Sequence, residues 1–124
     1  MENGVTGLIT LIAVLHVWFL TLEMFLWTKP IGLKTFNQSL EVAQASAVLA
    51  ANQGLYNGFL VAGLVWSVLT RDPIQAFDLK FFFLGCVVVA GLFGGLTVNK
   101  KIFFVQMLPA AVAFVLLYLT RQTA

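Results

Sequence analysis

The sequence predicts an all-α fold, an antiparallel four-helix transmembrane bundle, on three observations. Sixty per cent of the 124 residues are hydrophobic and only 10% are charged, where soluble chains run at roughly 45–50% apolar and about 25% charged. The mean hydropathy is +0.97. The apolar residues also gather into four runs, each close to the ~20 residues a helix needs to cross a hydrocarbon core of about 30 Å.

The first run, 5–27, stops at Thr28-Lys29-Pro30. The second, 45–69, stops at Thr70-Arg71-Asp72-Pro73. The third, 77–96, stops at Asn99-Lys100-Lys101, and the fourth, 102–119, at Arg121. Each must satisfy its backbone groups within itself if it lies in lipid, which makes it a helix. Membrane strands need only about half this length and alternate apolar with polar residues, which these runs do not. The second and third connections are short, so consecutive spans pack antiparallel. The whole chain, 1–124, reads as a single integral membrane domain with the lipid bilayer as its main partner. The first run is expected to be a retained span and not a secretory signal. No Lys or Arg precedes it, it is too long, and no small-residue cleavage site follows it.

The first connection, 29–44, is longer and mixed. Leu33, Phe36, Leu40 and Ala43 recur at helical spacing. They predict either a short helix on the membrane surface or an early start to the second span near Ser39, whose hydroxyl suits an N-cap.

A net charge of +2 is too small for a nucleic-acid partner, and the cations sit in the connections. Lys29, Lys34, Lys100 and Lys101 fall on one side of the expected membrane, and Arg71, Lys80 and Arg121 with the terminal amine on the other. That split sets no orientation. Cys86 has no second cysteine to pair with.

Polar residues inside the runs are few, and such residues usually face the bundle interior. His16 and Glu23 are seven apart, so they share one helix face about 10 Å apart along the axis. Phe19, Leu20 and Trp27 complete that face. In the second run Asn52, Gln53, Tyr56 and Asn57 cover one arc of roughly 140°. Ala51, Gly54, Gly58 and Ala62 fall on another, where another helix can approach closely. In the fourth run Gln106 lies one turn before Pro109. That proline removes a backbone hydrogen bond and clashes with the carbonyl of Val105.

Helical rise places Glu23, Asn52, Gln53 and Gln106 in the same half of the bilayer, toward the first and third connections, with His16 and Asn57 near the midplane. The expectation is a polar cavity opening to that side. The third run adds nothing polar at depth except Cys86, and Phe81-Phe82-Phe83 reads as a lipid or packing face.

Each polar residue has a plain reading beside the functional one. His16 is either a proton donor and acceptor or a neutral core imidazole with a partner. Glu23 is an acid within a span, which by default marks function, or it snorkels to the interface. The four polar residues of the second run either orient a substrate or fasten helices. Trp18, Trp27 and Trp66 suit interfacial or packing roles. No metal site is expected. His16 and Glu23 lie too far apart to share an ion, and no cysteine or second histidine completes a set. No phosphate loop, nucleophile elbow or dinucleotide fingerprint appears, so no cofactor is expected.

His16-x-x-Phe19-x-x-Leu22-Glu23-Met24-Phe25-x-Trp27, then the run Ala51-Asn52-Gln53-Gly54-Leu55-Tyr56-Asn57-Gly58-Phe59, then Gln106-x-x-Pro109-Ala110, together resemble a family of small four-helix membrane proteins, domain of unknown function 1304. The resemblance covers nearly the whole chain. It implies the fold and carries no activity.

The functional expectation is an intramembrane polar pocket for a small lipophilic molecule, with proton-transfer chemistry such as isomerisation or hydration. Glu23 would be acid or base and His16 its partner. Asn52, Gln53, Tyr56, Asn57, Gln106 and Trp27 would bind the substrate. One alternative is a proton-coupled transporter, which with so few helices requires a homodimer. The other is a binding or structural subunit without chemistry. Whether the chain is an enzyme stays open at this point. Its expected location is the cell membrane, as a multi-pass protein.

Overall fold

The computed structural model describes residues 2–122. It consists of α1 (Glu2–Met24), α2 (Pro30–Phe36), α3 (Leu40–Leu69), α4 (Pro73–Thr97), a π-helical turn (Phe103–Met107) and α5 (Leu108–Gln122). There is no strand among the described residues. Four helices are long and apolar enough to cross a membrane: α1, α3, α4 and the continuous segment Phe103–Gln122. The contacts divide the chain into two compact units, Val14–Val61 and the combination of Met1–Ala13 with Ala62–Ala124.

In the unit Val14–Val61, α1 stops three residues short of the apolar run that predicts it. Pro30 forces Lys29 into extended backbone (φ −87°, ψ 160°), as the residue before a proline must be. The helix therefore unwinds ahead of it. The Leu26 amide reaches back to the carbonyl of Thr21 and the Lys29 amide to that of Leu26. Pro30 then opens α2, where its fixed φ suits a first turn. Gly32 sits so close beneath the Leu26 carbonyl that a Cβ would overlap it, so this turn accepts only glycine.

Asn37 ends α2 in the left-handed region (φ 48°, ψ 53°). Its amide bonds to the Lys34 carbonyl and the Gln38 amide to that of Leu33, the paired closure that left-handed caps make. Ser39 then caps α3. Its hydroxyl accepts from the Val42 amide at 3.3 Å and its carbonyl from the Ala43 amide at 3.0 Å. The first connection thus contains both the short helix and the early start to the second span.

Helices α1 and α3 run antiparallel where they meet. A Cβ on Gly54 would lie 3.1 Å from Glu23 Cβ and 3.3 Å from the Leu20 carbonyl, and one on Gly58 3.0 Å from Leu20. The small-residue arc of the second run is therefore the surface on which α1 packs.

In the other unit, α4 begins at a capped turn. Asp72 Oδ1 accepts from the Gln75 amide at 2.7 Å, with Pro73 next in line. The segment Phe103–Gln122 packs antiparallel on α4 over glycine. A Cβ on Gly91 would lie 2.6 Å from the backbone nitrogen of Met107, and one on Gly95 2.6 Å from Cγ of Phe103. Pro109 is accommodated upstream. The chain widens into a π turn at Phe103–Met107, and the Leu108 amide bonds to the Phe103 carbonyl, five residues back. A π turn is one of the few ways a helix absorbs a missing or displaced backbone bond. Phe81 stacks between Phe77 and Phe114 and Phe83 lies against Gly63, while Phe82 is exposed. The phenylalanine run thus supplies both packing and exposed surface.

Candidate functional site

The buried stripe of α1 is Val5, Ile9, Ile12, His16 and Glu23, at the three- and four-residue spacing of one helix face. His16 is 1% exposed and Glu23 5%. The two polar groups therefore share a covered face, as their spacing predicts.

Glu23 meets α3 there. Its Oε1 accepts from Gln53 Nε2 at 2.9 Å and its Oε2 from Asn57 Nδ2, also at 2.9 Å. Gln53 and Asn57 are one turn apart on α3 and flank Gly54 and Gly58. The glycines bring the helix backbones close, and the amides reach the carboxyl from beside them. Unlike Glu23, Gln53 is exposed and Asn57 half-buried. One edge of the cluster thus opens to the molecular surface.

An amide suits this position chemically. It carries a donor and an acceptor on one planar group. Here both amides donate to the carboxyl oxygens. Rotation of either by 180° presents its oxygen to a protonated carboxyl instead. The cluster can hold Glu23 in either protonation state without moving a helix.

His16 lies seven residues before Glu23, edge-on to Phe19 with ring centroids 5.5 Å apart. Trp27 is placed beyond the end of α1, not on its face. Its Nε1 donates to Ser46 Oγ at 3.1 Å, and that hydroxyl donates on to the Val42 carbonyl at 2.7 Å. Its ring packs on Phe36 at 4.7 Å. Trp27 thus ties α2 and its turn to the start of α3.

The four polar residues of the second run divide. Gln53 and Asn57 hold Glu23. Asn52 and Tyr56 are exposed, on a side of α3 roughly opposite Gly54 and Gly58. Gln106 is half-buried within the π turn of the other unit. An open cleft of ≈ 720 Å³ also lies in that other unit, lined by Glu2, Asn3, Phe77, Asp78, Lys80 and Arg121 among others. It includes none of the sequence-predicted site residues. Arg121 covers the Phe77 ring there at 4.5 Å.

Ser46 and Gly32 are residues of this unit that the sequence pattern does not single out. A serine in the second turn of a helix and a glycine after Ile31 carry no signal of their own. No group of three or more His, Cys, Asp or Glu residues that could hold a metal ion is present among the described residues.

A family model described as "Protein of unknown function (DUF1304)" matches residues 10–118, a range that takes in every residue of the cluster. The chain is 30% identical over 98 residues to the uncharacterized protein YpaA of Lactococcus lactis subsp. lactis, an alignment covering 77% of this chain and 81% of that relative. No solved structure matches.

Proposed function

The chain belongs to the DUF1304 family, whose function is unknown, and we propose that it is a multi-pass protein of the cell membrane in which Glu23 binds the polar end of a small lipophilic molecule and exchanges a proton with it. One observation carries this reading. A carboxyl group 5% exposed, within a long apolar helix, has each oxygen held at 2.9 Å by an amide that can donate or accept. An acid so placed costs free energy unless it is used or fully partnered. Amides that serve either protonation state suit an acid that changes state.

In this reading Glu23 is the acid or base. Gln53 and Asn57 position it, and a hydroxyl, carbonyl or amine of the ligand replaces one of them at the carboxyl through the edge where Gln53 is exposed. His16, buried about 10 Å away along α1, is the second proton-carrying group. The apolar body of the ligand lies against the exposed apolar surface beside α3. Isomerisation and hydration are the reaction classes that need no more than this.

A second reading has its own support. Both carboxyl oxygens are already engaged, which is what a fastener between α1 and α3 requires. The two readings separate in one experiment. Full-length chain is extracted with its native lipids, and bound small molecules are identified by mass spectrometry in wild type and Glu23→Gln. The first reading predicts a lipophilic molecule with one polar group that wild type retains and the variant loses. Loss of stability with no bound molecule in either protein establishes the fastener and overturns the binding site.

A further inference from the structure

Helix α3 carries a second polar pair that faces away from Glu23. Asn52 and Tyr56 are one turn apart and exposed. Among the described residues neither side chain makes a hydrogen bond, and the Tyr56 ring meets the Phe59 ring edge-on, with centroids 5.7 Å apart. Both lie near the centre of a 30-residue helix: by helical rise, Asn52 is about 4 Å and Tyr56 about 2 Å from its midpoint. If α3 spans the bilayer, as proposed above, that centre is hydrocarbon. An amide there without a partner is costly.

The neighbours of the pair form a pattern. Ala45, Leu49, Asn52, Tyr56 and Phe59 follow at intervals of four, three, four and three. All five are exposed, Leu49 at 75%, Tyr56 at 57% and Phe59 at 56%. That is the spacing at which side chains form the seam of a left-handed helix pair, with one asparagine at its middle. A single buried asparagine in such a seam fixes register and oligomer state. Copies of one chain insert into a membrane in the same sense, so a two-fold axis along the membrane normal sets their α3 helices side by side and parallel. Asn52 then faces Asn52. An amide is self-complementary across a two-fold axis, because the N–H of each copy meets the C=O of the other.

We infer that this seam is a homodimer interface, in which Asn52 of each copy satisfies the other and Tyr56 lines the same contact. The surface that holds Glu23 is a different one on the same helix, so the dimer leaves the carboxyl cluster within each copy.

Cross-linking and dilution test the inference on the full chain. With Cys86→Ser as background, a single cysteine is placed by Leu49→Cys, Asn52→Cys, Phe59→Cys or, as a control on α4, Val89→Cys, which is 66% exposed. Oxidation in isolated membranes should link copies through the three seam positions and not through Val89→Cys. Separately, energy transfer between labelled copies diluted in lipid vesicles gives the dimer dissociation constant. Asn52→Leu keeps the seam apolar and removes only the amide, and should weaken the dimer about 3- to 30-fold. A chain monomeric at every dilution leaves the seam to lipid and overturns the inference. So does a dimer linked only through Val89→Cys, or one that Asn52→Leu leaves unchanged. Alkaline washing of the same membranes separates the two levels of the account. A chain that washes out ends the spanning reading, whereas one that stays embedded but monomeric ends only the dimer.

Discussion

The two units solve helix packing by different chemistry. In Val14–Val61, α1 and α3 meet over Gly54 and Gly58 but are also joined by the carboxyl of Glu23 to two amides, and the turn is tied down by Trp27 on Ser46. In the other unit, α4 and the fourth span meet over Gly91 and Gly95 with ring and thioether side chains filling the space. Its buried residues are almost all apolar, Leu64, Leu84, Val87, Ala110 and Leu117 among them, with Ser67 bonding only to the carbonyl of Leu64. The packing of α4 on Phe103–Gln122 combines glycine and apolar contacts with Arg121 over the Phe77 ring. The packing of α1 on α3 adds a buried carboxyl held by two amides. That difference is what directs attention to Glu23.

The comparison can be broken most sharply in the apolar unit. Gly91→Leu pushes a side chain into the backbone of Met107. The expected cost is about 3 kcal/mol, read as a large fall in thermal midpoint in detergent. Gly85→Ala is its control. A Cβ there meets Phe114 at 3.7 Å, an ordinary contact, and should change stability by less than about 0.5 kcal/mol. Equal effects at the two glycines would mean that the fourth span does not rest on Gly91.

A smaller effect is expected in the polar unit. Glu23→Leu leaves the amides of Gln53 and Asn57 without their acceptor, at about 2 kcal/mol. Glu23→Gln keeps one acceptor and should cost less than half of that. If Glu23→Leu instead stabilises the protein, the carboxyl contributes nothing to packing and its retention is functional outright. The smallest effect belongs to Trp27→Phe, which keeps the ring on Phe36 and loses only the bond to Ser46. It should lower stability by about 0.5–1 kcal/mol, and proteolysis of the Pro30–Phe36 segment should accelerate.

The same contrast explains what could be read from the residues alone. His16 and Glu23 were placed on one covered face by their spacing, because helical period is a property of the chain and needs no neighbour. The Gly54 and Gly58 surface was legible for the same reason. The division of Asn52 and Tyr56 from Gln53 and Asn57 was not. All four fit on one arc of roughly 140°, and only the position of α1 decides where that arc is cut. Trp27 was placed on the helix because Phe25, Leu26 and Trp27 continue the apolar run. Hydropathy does not register that Pro30 constrains Lys29 and ends the helix earlier. Gly91 and Gly95 gave no signal, since a glycine in an apolar run looks the same whether it faces lipid or another backbone. Pro109 announced a lost hydrogen bond, but the π turn that absorbs it extends back to Phe103, beyond the reach of a local rule.

Whether Glu23 changes protonation state is the question on which a proton-transfer role stands. Isotope-edited infrared spectroscopy of the full chain in lipid vesicles, with Glu23→Gln to assign the band, reads that carboxyl directly. The account predicts a Glu23 band that interconverts between carboxylate and carboxylic acid as pH is varied or a bound lipophilic molecule is removed, and that shifts in Asn57→Leu. A band that stays in one form throughout the range in which the protein remains folded would contradict it, and would leave Glu23 as the fastener of α1 to α3.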